Sequence, residues 1–79
     1  MNLSAADQQT KLTQLAEFEG FGSVEEMLQR AVFDSVSPGI CTRPHCDYTT
    51  EVEPDQREGW CEACSANTIQ SALVLAGII

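Results

Sequence analysis

The 79-residue sequence predicts a small α+β fold from three observations. Apolar residues recur with helical spacing up to about residue 36, and an alternating segment typical of a β-strand follows near residue 50. Two close pairs of cysteines flank that segment, and residues 65–79 contain no charged side chain. We therefore predict one domain over residues 1–79, with a helical hairpin at 4–36, a four-cysteine β-hairpin at 40–64 and an apolar C-terminal helix or tail at 65–79.

The first predicted helix extends from about Ser4 to Glu19. Gly20 follows it and suits the left-handed conformation that commonly ends a helix. Its apolar positions are Leu12, Leu15, Ala16 and Phe18. Lys11 is its only basic residue.

The second predicted helix has the clearest local pattern. Ser23 precedes Glu26 by three residues, which is the spacing of a capping box. One apolar face follows: Val24, Met27, Leu28, Ala31 and Val32. The sequence Ser37-Pro38-Gly39 predicts a turn, so this helix should end near residues 34–36.

The composition changes after residue 40. Tyr48, Thr50 and Val52 alternate with polar residues, which predicts a strand with an acidic outer face. Pro54 begins a turn, and Gly59-Trp60 predicts a short return strand that completes a β-hairpin.

The last predicted element is a helix that begins after Cys64, with Ser65 as its N-cap. Its apolar face is Ile69, Ala72, Leu73 and Ala76. A helix without charged residues is not a solvated element, so it must pack on the N-terminal hairpin, on a partner or on a second copy. Packing on a second copy would give a homodimer through residues 65–79, which is a further prediction.

Four cysteines form the pattern Cys41-x4-Cys46 and Cys61-x2-Cys64. Two close pairs separated by a hairpin-sized insert are typical of a tetrahedral thiolate site, so we predict one structural Zn²⁺. His45 neighbours Cys46 and is the alternative ligand at that position. The expected helix N-terminus beside Cys61 and Cys64 would favour their thiolates. The predicted order of elements is that of a treble clef, within the broad zinc-ribbon class.

The expected compartment is the cytoplasm. Residues 1–7 have neither the basic nor the apolar region of a secretory signal, and the longest apolar run, residues 72–79, is too short to cross a membrane. Cytoplasmic thiols stay reduced and are available to bind metal. For a chain of this size, burial and ordering terms of about 120 kcal/mol each nearly cancel, so a metal would decide whether it folds.

The net charge of −8 divides into −4 over residues 1–36 and −4 over residues 37–64, each with six acidic and two basic side chains. This negative charge opposes binding to the phosphate backbone of a nucleic acid. Its single histidine and its lack of a glycine-rich phosphate loop predict that it is not an enzyme. A closed set of four cysteines also leaves no metal position for a catalytic water.

The segments 38–41, 46–56, 59–64 and 72–79 resemble small bacterial and phage zinc-ribbon proteins of no established activity, and the resemblance extends weakly over residues 12–79. It implies that Cys41, Cys46, Cys61 and Cys64 bind zinc.

The leading functional hypothesis is a non-enzymatic zinc-binding module that binds or modulates a basic protein partner. In a phage or mobile-element setting, its acidic surface could imitate nucleic acid. One alternative is a nucleic-acid-binding or transcription-regulatory zinc finger that uses Arg43 and Arg57. Another is a thiol redox or metal-handling protein in which Cys61 and Cys64 exchange zinc or form a disulfide. A rubredoxin-like iron site is a further alternative for the metal.

Overall fold

In a computed structural model, which describes residues 3–79, two helices precede an antiparallel four-stranded sheet, and a short third helix follows it. The helices are α1 (Ala5–Phe18), α2 (Val24–Phe33) and α3 (Ala72–Leu75), and the strands are β1 (Ser37–Cys41), β2 (Thr49–Val52), β3 (Gly59–Cys61) and β4 (Ala66–Ser71). The prediction of a small α+β fold with a four-cysteine cluster is confirmed.

The two N-terminal helices begin where their capping residues predict. The Ser4 hydroxyl accepts a hydrogen bond from the Asp7 amide, and the Ser23 hydroxyl accepts one from the Glu26 amide, each at 3.1 Å. Gly20 has a φ of +79°, the left-handed conformation expected after α1. The starts of both helices and the end of α1 are therefore determined by local sequence.

In the helical hairpin of α1 and α2, fewer residues are buried than the apolar pattern predicts. Leu15 and Met27 are fully buried and pack together with Ile40 and Leu75. By contrast, Phe18 is 52% exposed and Val32 is 56% exposed. Both had been expected on the apolar faces of their helices, and the structure leaves them outside the core.

The sheet pairs its strands differently from the predicted hairpin. The spatial order is β2-β1-β4-β3, so β2 and β3 are the two edge strands and do not pair with each other. The real hairpins are β1–β2 and β3–β4, joined by pairing between β1 and β4. The predicted β2–β3 hairpin is therefore wrong. Each close pair of cysteines instead lies at the turn of its own β-hairpin. The alternation of apolar and polar residues along one strand does not show which strand it pairs with.

The expected turn at Ser37-Pro38-Gly39 is also wrong, because these residues begin β1. Proline lacks an amide donor and is tolerated only where a strand lacks a second neighbour. The pairing of β1 with β4 starts at Gly39, so Pro38 has a strand partner only on the β2 side. Glycine at position 39 serves close packing: a Cβ there would lie 2.8 Å from Val52 Cγ2 and 3.0 Å from Ile69 Cγ2.

We predict that Gly39→Ala destabilises the metal-loaded protein by about 1–3 kcal/mol, because the added methyl group overpacks the space between Val52 and Ile69. The urea midpoint of unfolding measures the loss. Gly22→Ala is the matched control, since its Cβ would approach only the mobile end of the Glu26 side chain. Equal midpoints for the two variants would show that the close approach at Gly39 is unimportant.

The segment after Cys64 is a strand, so the prediction of a helix over residues 66–71 is wrong. Ser65 has a φ of +52°, which is incompatible with the extended conformation of an N-cap. Ser71 is the actual cap of α3: its hydroxyl accepts a hydrogen bond from the Val74 amide at 3.1 Å. The β-branched residues Thr68 and Ile69 fit β4, which pairs with strands on both sides. The part of the treble-clef prediction that placed a helix directly after Cys64 is therefore wrong.

The short helix α3 packs on the chain itself. Its four residues Ala72–Leu75 are all buried, and the helix contacts both α1 and α2. Ile78 and Ile79 follow it and are about half exposed. The uncharged segment thus covers the helical hairpin, one of the alternatives its composition left open, while dimerisation through residues 65–79 stays a prediction.

The sheet separates two buried clusters. The larger lies between the helices and the sheet and contains Leu15, Met27, Ile40 and Leu75. The smaller contains Cys41, Cys61 and Ile69. Among residues 3–79, no helix combines the length and apolar character needed to cross a bilayer.

Candidate metal centre

The four cysteines lie in two turns, each between the strands of one hairpin. Cys41 ends β1 and Cys46 lies in the loop before β2, and we call residues 41–46 the first knuckle. Cys61 ends β3 and Cys64 lies in the turn before β4, and we call residues 61–64 the second knuckle. Antiparallel pairing of β1 with β4 brings the two knuckles to the same end of the sheet.

The spacing of the four sulfur atoms fits a tetrahedral metal site. All four Sγ atoms lie within 4.8 Å of one another. Cys41 Sγ lies 3.8 Å from Cys64 Sγ, and Cys46 Sγ lies 3.7 Å from Cys61 Sγ. Four sulfurs at ~2.3 Å from a central Zn²⁺ would be ~3.8 Å apart, whereas a disulfide requires ~2.05 Å. The cysteines are free thiols positioned to hold one ion.

The two knuckles contribute equally to the burial of the site. Cys41 and Cys61 are fully buried, whereas Cys46 and Cys64 are half-buried. His45 is exposed and does not belong to the group of side chains that could share a metal ion. The structure thus brings together the four predicted cysteines and leaves the alternative ligand outside.

Strand β4 supports the first knuckle through Thr68, which contacts both Cys41 and Thr42. The Thr68 hydroxyl lies 3.0 Å from Cys41 Sγ. The Thr68 carbonyl accepts hydrogen bonds from the hydroxyl of Thr42 at 2.7 Å and from its amide at 2.8 Å. Hydrogen bonds to metal-binding groups fix their orientation, so this network orients Cys41 in the folded protein.

Lys11 connects helix α1 to the first knuckle. Its side chain is 5% exposed, and its Nζ donates hydrogen bonds to the carbonyl oxygens of Arg43 and Cys46, each 2.6 Å long. Burial of an ammonium group is costly unless its donors are satisfied or a negative charge lies close by. A tetrathiolate site with Zn²⁺ carries a formal charge of −2, and Lys11 places a positive charge against the backbone of the first knuckle, which holds two of the four cysteines.

The thiols differ in acidity because they share one site. Burial tends to raise the pKa of Cys41, but hydrogen bonds with the Thr68 hydroxyl, the Arg43 backbone and the thiols of Cys46 and Cys61 outweigh it and lower that pKa from 9.0 to about 7. Hydrogen bonding with Cys46, then burial and contacts with Cys41 and Cys61, raise the pKa of Cys64 to about 12. A backbone hydrogen bond at Tyr48 lowers the pKa of Cys46, but burial and its neighbours Cys41 and Cys61 produce a net increase. One thiolate forms easily, and further ionisation of the metal-free cluster is opposed by the first.

We predict that Zn²⁺ binding at about pH 7.5 releases at least two protons per ion. The pKa values of Cys46 and Cys64 lie above 9.0 in the fold without metal, and a thiol in an unfolded chain has a pKa of about 8.5. In either state both thiols must lose a proton when they become ligands. As the pH is lowered, a larger fraction of the thiols is protonated before binding, so the proton release increases and the zinc affinity falls. Calorimetry in buffers of different ionisation enthalpy measures the count, and a release below two protons would contradict this description of the site.

Two supporting residues were not identified as part of the site from the sequence. The sequence predicts a helix at Thr68 and therefore indicates no relation between this residue and Cys41. Lys11 is the single basic residue of the first predicted helix, and it precedes Leu15 by four residues, so it lies on the buried face. A charged residue at an apolar-face position was the available signal, but its partners are more than thirty residues away in the sequence.

No family model matches this chain, and comparisons with curated proteins and with solved structures likewise returned no match. The resemblance to bacterial and phage zinc-ribbon proteins therefore depends on the motif residues alone.

Proposed function

We propose that the protein is a non-enzymatic interaction module built around one structural Zn²⁺, with Cys41, Cys46, Cys61 and Cys64 as ligands. The observation that supports this function best is the spacing of the four sulfur atoms, 3.7 and 3.8 Å across the two knuckles. That spacing matches the edge of a thiolate tetrahedron around zinc. Two hairpins that each present a knuckle at one end of a sheet also fit a zinc-ribbon arrangement.

The role of the metal in this proposal is to stabilise the fold. Four cysteine ligands complete the coordination of Zn²⁺ and leave no open position for a water molecule or a substrate. Loading adds a formal −2 to the chain's −8, so the zinc form has a charge near −10. Such a surface favours a basic protein partner through electrostatic steering and complementarity, and it repels nucleic-acid phosphates.

The metal part of the proposal is tested by native mass spectrometry and elemental analysis of the purified protein. One zinc ion per chain and no disulfide is the expected result. Iron in place of zinc, or a Cys61–Cys64 disulfide in protein kept under cytoplasmic redox conditions, would overturn the structural zinc site and support the iron or redox alternatives.

The partner part is tested at low salt with three labelled probes: duplex DNA, single-stranded RNA and a peptide rich in lysine and arginine. We expect binding of the basic peptide alone, with an affinity that falls as salt is raised. Binding of DNA or RNA would overturn the partner class and would direct attention to the exposed Arg43 and Arg57.

A further inference from the structure

An open groove of about 510 Å³ lies beside the sheet. Its walls include residues of β2, among them Glu51 and Val52, and residues of β3, among them Gly59 and Trp60. Because β2 and β3 are the opposite edges of the sheet, the sheet must curl for both to line one groove.

Two glycines allow this curvature. At Gly39 a Cβ atom would meet the side chains of Val52 and Ile69, and at Gly59 it would lie 3.2 Å from Ile69 Cβ. The side chains of Val52 and Ile69 therefore fill the space that Cβ atoms would occupy, and the edge strands approach each other on that side. Both edge strands have sheet partners on one side only, so each has backbone groups available for a further strand.

The groove contains an apolar and aromatic surface that faces solvent. Trp60, the only tryptophan in the sequence, is 55% exposed, and Val36 is 43% exposed. Tyr48 is half-buried between the groove and the cysteine cluster. Tryptophan and tyrosine are enriched among residues that dominate binding energy at interfaces, and exposed tryptophan is otherwise uncommon.

The charged residues that line the groove are all acidic. Glu51, Glu53 and Glu62 line it, and none of the described residues in its lining is a lysine or an arginine. Tyr48, Trp60 and Glu62 line the same groove, so acidic and aromatic groups are neighbours there. A cationic side chain in this groove would meet both an aromatic face and carboxylates.

We propose that this groove binds an extended segment of a partner protein that carries lysine or arginine side chains, one of them over the Trp60 ring and others against Glu51 and Glu53. The proposal rests on the proposed interaction function and names its surface and ligand class. An extended segment suits a groove bounded by two strand edges, because its backbone can pair with an edge while alternate side chains enter the groove.

Charge favours this occupant over the others. A nucleic-acid strand would place phosphates against the three glutamates. A second copy of this chain carries the same acidic groove and a net charge of −8, so its approach is opposed by repulsion. An uncharged apolar segment would cover the aromatic surface but would leave the carboxylates without partners.

The experiment uses the zinc-loaded full chain and a fluorescently labelled nine-residue peptide of alternating lysine and valine. Binding is followed by fluorescence polarisation of the label and by the emission of Trp60, which reports on the groove alone because the chain has no other tryptophan. We expect saturable binding, a change in Trp60 emission, and no binding of the matched peptide with glutamate in place of lysine.

Three variants assign the binding to the groove. Trp60→Ala should weaken binding by about 30-fold, as expected for the loss of a central aromatic contact. Glu51→Gln/Glu53→Gln should weaken it by about fivefold at low salt. Glu17→Gln/Glu25→Gln removes the same charge from exposed positions on α1 and α2 and should change it by less than twofold.

The outcomes separate this proposal from the function on which it depends. Equal losses for the two glutamate pairs would show attraction to overall charge and would overturn the groove. Binding that is unchanged in Trp60→Ala would do the same, while leaving a basic partner in place elsewhere on the protein. Failure of every basic probe to bind a correctly zinc-loaded chain would overturn the partner class and the groove together. Dimerisation that buries Trp60 in the absence of peptide would identify a second copy as the occupant instead.

Discussion

Removal of the metal is expected to unfold the protein at 25 °C. Structural zinc contributes about 10–16 kcal/mol to the folding of small domains, more than the net stability that a core of this size supplies. An ion bound by the four cysteines would also join the two knuckles, so its removal would free the ends of both β-hairpins. A chelator should abolish the cooperative thermal transition followed by circular dichroism, and added Zn²⁺ should restore it.

Cys61→Ser should reproduce much of this loss in the presence of Zn²⁺, because it removes a fully buried ligand. His45→Ala is the matched control in the other knuckle. That side chain is exposed and lies outside the cysteine cluster, so the expected change in the free energy of unfolding is within about 0.5 kcal/mol. A metal-free protein that keeps the melting temperature of the loaded form would contradict the structural role of zinc. A large effect of His45→Ala would instead identify His45 as a ligand.

Lys11→Met is expected to weaken zinc binding by about 10–100-fold, the usual cost of losing an outer contact of a metal site. The substitution removes the donor of the Cys46 carbonyl and leaves the Arg43 carbonyl with only its 3.1 Å hydrogen bond from the Cys46 amide. It also removes the buried positive charge that contacts the backbone of the first knuckle. It should also lower the stability of the zinc form by about 2–5 kcal/mol, since two charge-assisted hydrogen bonds are lost inside the protein. Competition with a chromophoric chelator measures the affinity, and urea unfolding measures the stability.

Arg43→Met distinguishes the specific role of Lys11 from simple loss of charge. Arg43 is an exposed cation in the same knuckle, and it contributes its backbone carbonyl, not its side chain, to the contact with Lys11. We expect its substitution to change zinc affinity by less than twofold. Equal losses in the two variants would show that Lys11 acts only through net charge, and the hydrogen bonds to the knuckle would then have no particular importance.

Two serines show where local sequence stopped being sufficient. Ser65 and Ser71 are both acceptable N-caps by residue type, and the helical spacing of apolar residues continues across both. The structure uses Ser71, because the second knuckle turns the chain at Ser65 with a φ of +52° and directs residues 66–71 back along β1. Ser71 is held at that position by a 2.6 Å hydrogen bond from its hydroxyl to the Pro54 carbonyl, a partner far away in the sequence.

Residues 37–39 are a second place where local sequence is not sufficient: they predict a turn but form part of a strand. Proline and glycine predict a turn from their own conformational preferences. Here Pro38 lies where β1 lacks a neighbour on one side, and Gly39 lies where the Val52 and Ile69 side chains leave no space for a Cβ. Neither reason is visible without knowledge of which strands are adjacent.

The sequence by itself determined the features that depend on neighbouring residues. These are the capped helices α1 and α2, the strand β2, the negative net charge, and the two close cysteine pairs whose spacing indicates a thiolate site. The tertiary structure alone decided the order β2-β1-β4-β3, the burial of Lys11 against the first knuckle and the groove between the two edge strands. The physical reason is that these features depend on contacts between residues far apart in the chain, where packing and hydrogen bonding outweigh local conformational preference.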